Sequence, residues 1–218
     1  VSRTTLPTAA AVATTALTAA LLLTACSSNS STNSDKITTS PATPTAATTT
    51  SAPPASSAAR RPVIALPHGA QNVFEDQQTG DPKKDAVLAD NQQWVNSMDE
   101  AILKRSSDTS HIAFYSTGQG YESAVSFVDG YLGKKDTWIG TTRFFQRKVT
   151  FLKSGEASVV YCSDESKAFI KHSNGKVDNT PTTADSYVLY NTRLAKDKQG
   201  VWQTDYVVSQ RGAKECQP

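Results

Sequence analysis

No aromatic residue stands before Phe74, and all three tryptophans, Trp94, Trp138 and Trp202, lie beyond it. Residues 1–61 are almost entirely Ala, Thr, Ser, Pro and Leu. A segment without aromatics or many large aliphatics has too little to bury to offset the entropy of ordering it. The core is therefore expected in roughly the last 140 to 150 residues, an ordinary size for one domain. Charge is uneven in the same way. Arg3, Lys36, Arg60 and Arg61 face only Asp35 in the first 61 residues, which leaves 18 basic and 19 acidic residues for the rest. A near-neutral body argues against nucleic acid as a partner, because phosphate contacts need clustered positive charge. The basic pairs Lys134-Lys135 and Arg147-Lys148 read as solvated ends of elements.

Residues 1–26 read VSRTTLPTAAAVATTALTAALLLTAC: one charge at Arg3, an apolar run from Ala9 to Leu23, then Leu23-Thr24-Ala25-Cys26. The run is too short and too rich in Ala and Thr for a comfortable membrane span. It resembles a bacterial lipoprotein signal, in which small residues precede a Cys that is thioether-linked to diacylglycerol before the leader is cut in front of it. That resemblance implies lipidation of Cys26, a membrane anchor and a place on the extracytoplasmic face of the cell membrane. Residues 27–66 follow as a Ser/Thr/Ala/Pro-rich stretch, with Pro41, Pro44, Pro53 and Pro54, that reads as a disordered tether. A leash of this composition resembles those of exported proteins from high-GC Gram-positive bacteria.

The domain expected over 67–218 opens with turn signals at Pro67, Gly69 and Gly80. Asp81-Pro82 reads as helix N-cap and first-turn proline. Val87, Leu88, Trp94, Val95, Met98 and Ile102 then recur at helical spacing, with Asp90, Gln92, Gln93, Asn96, Asp99 and Glu100 between them. That predicts a helix to about Arg105. His111 to Tyr115 reads as a short strand. Tyr121, Ala124, Val125, Val128, Tyr131 and Leu132 predict a second helix after Thr117, stopped at Gly133. The period then changes to two. Phe145, Arg147, Val149 and Phe151 alternate up to a turn at Lys153-Ser154-Gly155; Ala157, Val159 and Tyr161 continue in a second strand, and Ala168 to Ile170 in a third. Asn174-Gly175 marks a turn, residues 178–185 a polar loop, and Tyr187–Ala195 with Val201–Arg211 a hairpin around residues 196–200. Helices followed by antiparallel strands predict an α+β fold: two helices on one face of a curved antiparallel sheet of about four to six strands.

That order resembles the nuclear transport factor 2-like (SnoaL-like, cystatin-like) cone fold. More closely, Asp81 to Cys216 resembles a group of uncharacterised actinobacterial secreted lipoproteins with that fold. The likeness rests on Tyr161-Cys162-Ser163-Asp164, Val201-Trp202-Gln203, Ser209-Gln210-Arg211 and Cys216. It implies no activity, since the cone hosts isomerases, cyclases, dehydratases and pure binding modules.

With Cys26 lipidated, Cys162 and Cys216 remain, and two cysteines in an oxidising compartment allow one pairing. Cys162 closes a predicted strand and Cys216 follows the last one. Neither lies in a CxxC spacing or at a helix start, as a reactive thiol would. His68, His111 and His172 are scattered and suggest no metal site. Asp164-Glu165 would point to opposite sides of an extended chain and read as a charged turn. His111 is a candidate general base, although a lone His is more commonly a packing or surface residue. Thr117-Gly118-Gln119-Gly120 lacks the Lys and third Gly of a phosphate loop. Trp94, Tyr121, Phe145, Trp202 and Tyr206 are candidates to line a cone cavity for a small apolar ligand, against the plainer reading that they are core.

These features predict a lipid-anchored, non-enzymatic module that binds an envelope protein, an envelope polymer or a small molecule, with no catalytic residue and no cofactor. A SnoaL-like enzyme of isomerase or cyclase type is the first alternative. An accessory subunit of a conjugation or secretion complex of the cell envelope is the second.

Overall fold

The computed structural model describes residues 60–218; the expectations for the leader, Cys26 and most of the tether lie outside them. The fold is α+β, with three helices packed on a five-stranded mixed sheet in the order β1-β2-β3-β4-β5. The elements are β1 (Ala70–Phe74), α1 (Pro82–Lys104), α2 (Ser110–Tyr115), α3 (Gly118–Lys134), β2 (Thr137–Phe151), β3 (Ala157–Lys171), β4 (Tyr187–Lys196) and β5 (Trp202–Arg211).

Helix α1 begins as its residues dictate: the Asp81 side chain accepts from the Lys83 N–H at 2.9 Å and Pro82 opens the first turn. It ends at Arg105 in the left-handed region, with φ 53°. Val87, Leu88, Trp94, Val95 and Ile102 are buried as their spacing predicts. Asp90 and Glu100 are buried too, contrary to their place on the expected polar face. The chain ahead of the sheet covers them. Arg61 donates to Asp90 through Nε and Nη2 at 3.0 and 2.9 Å, and the Ala65 N–H donates to Glu100 at 3.2 Å. Ile64 packs against the core. Packed structure thus begins at Arg61, inside the segment expected to be tether.

Four expectations for the elements need correction. His111 to Tyr115 lies in helix α2, where Ile112 and Tyr115, three residues apart, both turn inward. Gly133 lies inside α3, and Lys135 takes the left-handed cap with φ 58°. Ala168 to Ile170 is no separate strand; it continues β3, whose 15 residues run unbroken past Asp164-Glu165 and place Cys162 mid-strand. The sheet is mixed because Ala70–Phe74, expected as turn, pairs parallel with β2 from Ala70↔Gly140 to Phe74↔Phe144.

Most of the core lies between helices and sheet, around Leu88, Ile102, Ile112, Tyr161, Leu194 and Trp202. On the opposite sheet face Phe145, Tyr187, Ala213 and the Cys162–Cys216 disulfide form a second small cluster. Tyr161 and Cys162 are adjacent, so they serve the two clusters from opposite faces.

Strand β2 changes phase within its length. Phe145 pairs with Cys162 and Lys148 with Val160, so Gln146 and Arg147 together oppose Tyr161 alone. Gln146 takes φ 52°. This bulge sends Phe145 to the disulfide side and turns Arg147 to the helix side. The outer edge strand β5 is closed by α3. Gly120 permits the approach, since a Cβ there would lie 2.3 Å from the Thr204 carbonyl oxygen. Gln119 then accepts from the Val207 N–H at 2.8 Å and donates to its carbonyl at 3.1 Å, as a neighbouring strand would. Thr117-Gly118-Gln119-Gly120 is therefore a helix–strand fastening.

Candidate functional site

The β2 bulge opens a cleft of about 690 Å³. Its walls come from the bulge itself (Gln146 to Val149), from the β1–α1 loop (Asp76, Gln78, Thr79), from Lys84 at the start of α1, and from Val160, Tyr161, Cys162 and Leu189 on β3 and β4, with Glu215 beyond. Arg147 is only 4% exposed. Its Nη2 donates to the Leu88 carbonyl at 2.8 Å and to Asn91 Oδ1 at 3.3 Å, and its guanidinium lies 5.0 Å from the centre of the Phe74 ring. Nε and Nη1 are buried with no hydrogen-bond partner, and among the described residues no carboxylate stands within ion-pair distance of it. Asp76, exposed at the cleft, instead accepts from the Arg147 main-chain N–H at 3.3 Å. Burial pulls the Arg147 guanidinium down to about 10, with Tyr161 and Asp76 acting weakly the other way. A cation in a low-dielectric position without a counter-charge is costly unless something supplies one.

A second cleft, of about 540 Å³, lies between α3 and the far end of β3, with Phe127, Tyr131, Asp136 and His172 among its walls. The His172 ring is clamped on both sides, Nδ1 to Asp136 at 2.8 Å and Nε2 to Asp178 at 2.7 Å. These hydrogen bonds raise its pKa, Asp178 contributing most, and hold Asp178 below the usual carboxylate range. With both nitrogens committed, the ring fastens the loop after Asn174-Gly175 and is poorly placed to move protons.

The third place of chemical interest is Asp99 on α1. Asn72 donates to it at 2.6 Å and the Trp138 indole at 3.1 Å. Burial nonetheless raises its carboxyl to about 6, the two hydrogen bonds opposing. Tyr131 is pushed up to about 12, mainly by burial, with Glu165 and Asp99 adding to it. Glu165, expected in a charged turn, is paired with Arg211 at 2.8 Å, and Asp164 with Arg143 at 3.5 Å. His111, the candidate base, holds Glu100 at 2.7 Å. Burial alone would raise the Glu100 carboxyl, but hydrogen bonds from Lys104, His111 and Ala65 outweigh it and hold it low.

The expected cavity-lining residues are not brought together. Trp94 and Trp202 are buried in the main core, and Tyr121 is half-buried, its hydroxyl 3.0 Å from Thr109 Oγ1. Phe145 sits across the sheet beside the disulfide, moved there by the bulge. Tyr206 is 44% exposed. The interior they were expected to surround is filled by stacked rings, Tyr161 on Tyr190 at 5.0 Å and Phe74 on Phe144 at 4.6 Å. Cys162 and Cys216 do pair, with Cα atoms 5.5 Å apart. Among the described residues no group of His, Cys, Asp and Glu is placed to hold a metal ion, and no helix is long and apolar enough to cross a membrane.

Sequence reasoning missed Arg147 and Asp99. Arg147 carried a signal, since it occupies an inward phase between apolar residues. Asp99 carried none, as its neighbours Asn72 and Trp138 come from distant strands.

No family model matches the chain, and no curated protein matches it. Among solved structures it is distantly similar to Aln2 from a Streptomyces species, at 16% identity and a TM-score of 0.42 over 60% of this chain and 92% of that one. A ketosteroid isomerase-like protein from Erwinia carotovora atroseptica gives 12% identity and a TM-score of 0.43 over 60% and 97%. The intermembrane space region of the chloroplast protein ARC6 gives 13% and 0.38 over 58% and 97%. Scores of this size define no shared site.

Proposed function

We propose that the chain is an extracytoplasmic lipoprotein, held to the cell membrane by lipid on Cys26, whose folded body is a non-enzymatic module that binds a small ligand in the cleft at the β2 bulge. The reading is carried by the cleft of about 690 Å³ at the bulge, which Arg147 helps to line while two buried donors of its guanidinium, Nε and Nη1, stay unpaired; the cleft has a size suited to a small molecule. The filled interior supports it, since it leaves the cleft at the rim as the place for a guest. Two measurements test the two halves. Cys26→Ser releases the protein from the membrane fraction; retention of the variant there contradicts the anchor. Leu189→Trp fills the cleft. Small molecules extracted from protein purified out of its own membranes include one, found by mass spectrometry, that is missing from this variant. Identical profiles contradict the cleft.

One observation favours a second reading, an enzyme of SnoaL-like type. A carboxyl near 6 with hydrogen bonds from Asn72 and Trp138 is poised for proton transfer near neutrality. Its deep hydrogen bonding and the absence of Asp99 from the walls of either cleft described above place this reading second. Asp99→Asn abolishes turnover if it holds and leaves ligand retention unchanged if the first does.

A further inference from the structure

We infer that His172 is a proton-operated latch: its charged ring ties the hairpin tip after β3 to the corner between α3 and β2, and loss of one proton to water frees the tip and widens the second cleft. The tip is folded by its own main chain, with the His172 N–H donating to the Lys176 carbonyl at 2.9 Å and the Asp178 N–H to the Ile170 carbonyl at 3.0 Å. Strand β2 accompanies β3 only as far as Thr137 opposite Lys171, and β4 leaves it at Tyr187 opposite Asp164. The tip therefore projects past the sheet, where a two-stranded hairpin alone is marginally stable. It is attached by the 2.8 Å bond between His172 Nδ1 and Asp136, whose own N–H is fixed to the Tyr131 carbonyl of α3 at 3.0 Å. Asp136, His172 and Asp178 all line the second cleft, so the latch is part of its wall.

The need for a proton follows from counting hydrogens. Nδ1 faces Asp136 and Nε2 faces Asp178, at 2.8 and 2.7 Å, and each gap between nitrogen and carboxylate takes one hydrogen. A neutral imidazole carries one N–H and an imidazolium two. Asp178 is the local partner and is also held by Lys176 at 3.1 Å. The neutral ring therefore keeps its one N–H on Asp178 and lets Asp136 go. The ring hands nothing to a guest; its proton leaves to solvent, to which its side chain is 32% exposed. Asp178 and Asp136 raise the pKa of the ring, so the latch is closed below that value and opens as pH climbs through it. The charged and titratable groups about the ring are Asp136 at the corner, Lys176 and Asp178 on the hairpin, and Tyr131 and Lys134 on α3. Asp99, which titrates at about 6, acts on Tyr131, and variants of the latch itself separate the two.

The test is amide hydrogen exchange and methyl NMR of the full chain carrying Cys26→Ser, at about pH 5.5 and about pH 9, on either side of the imidazole range. Corrected for intrinsic rates, the His172 and Asp178 amides exchange about tenfold or more faster at the higher pH, and a soluble nitroxide broadens the Ile170 methyl signals more there. Asp136→Asn removes the need for the proton: the Asn amide donates to Nδ1 while the Nε2 N–H stays on Asp178, so a neutral ring holds both. This variant keeps the slow exchange at both pH values. His172→Gln exchanges fast at both. A parent chain whose exchange or Ile170 broadening is indifferent to pH, an Asp136→Asn chain that exchanges fast at about pH 9, or a His172→Gln chain that is slow at either pH overturns the latch.

Discussion

The main-chain N–H of Arg147 donates to Asp76 Oδ2 at 3.3 Å, yet the buried guanidinium of the same residue has no carboxylate partner among the described residues. The bulge at Gln146 is the reason: it puts the backbone of Arg147 on the loop side and its head group under α1. A residue kept in such a position at a cost in stability is one whose removal separates folding from binding.

Arg147→Met should therefore leave the fold intact and its stability unchanged to about 2 kcal/mol higher, since an apolar chain of similar length replaces an unpaired buried cation. Urea unfolding reads this. A loss of more than about 2 kcal/mol shows that the bonds to Leu88 and Asn91 make Arg147 a structural residue.

Asp99 sets a pH dependence of known sign. Its folded pKa of about 6 lies above the unfolded value, so the unfolded chain gives up the proton first. The favourable contribution is complete below about pH 4 and is lost as pH rises through 6, a change of about 2 kcal/mol once partial exposure is allowed for. The stability of Asp99→Asn relative to the parent chain rises by that amount between pH 4 and 7. A flat difference curve shows an Asp99 with an ordinary pKa.

His172 carries the same sign into a higher pH window, and for a different reason: its charged form is favoured by partners, not disfavoured by burial. Its folded pKa is raised by Asp178 and Asp136, so its contribution is whole below the unfolded value near 6.5 and fades as pH climbs through the folded one. NMR titration of the ring shows a midpoint above 6.5 in the parent chain, and Asp178→Asn brings it down. A midpoint indifferent to Asp178 contradicts the clamp.

The Cys162–Cys216 bridge closes a separation of 54 residues, for which loop entropy gives about 4 kcal/mol. It fastens the turn after β5 to the sheet face opposite the helices, where Phe145 and Tyr187 depend on it for cover. Replacing both cysteines by Ala lowers the urea midpoint without changing the helix content. A midpoint that does not move shows that the small cluster holds itself.

Gln119 closes the edge of β5 by standing in for a strand at Val207. Gln119→Ala reopens that N–H and carbonyl, and an open edge invites a second copy. Sedimentation velocity shows concentration-dependent association in the variant and less in the parent chain. Equal behaviour means that the edge is protected otherwise.

What the residues announced and what they hid divides along physical lines. Helix α1 is legible because Asp81-Pro82 marks its start and six apolar residues recur at helical spacing. The last hairpin was legible because Lys196 to Gly200 interrupts two alternating runs. The bulge is not, since Gln146 is neither Gly nor Asn and nothing in its type signals a positive φ; strict alternation puts Phe145 on one face with Arg147 and Val149, and the charge of the Arg147-Lys148 pair reads as a solvated end. Strand β1 is short and lacks alternation, and pairing with β2 across the long helical segment decides its state. The burial of Asp90 and Glu100 depends on Arg61 and Ala65, which local composition assigned to the tether.

The central claim, that this body works by holding a guest at the β2 bulge, is tested most directly by amide NMR shifts when the small molecules extracted from protein purified out of its own membranes are titrated back into the Cys26→Ser chain. The account predicts shifts concentrated at Asp76 to Thr79 and Gln146 to Val149, absent in Leu189→Trp. Shifts gathered around Asp99, Tyr131 and Tyr190 instead, or none in any part of the sheet, would contradict it.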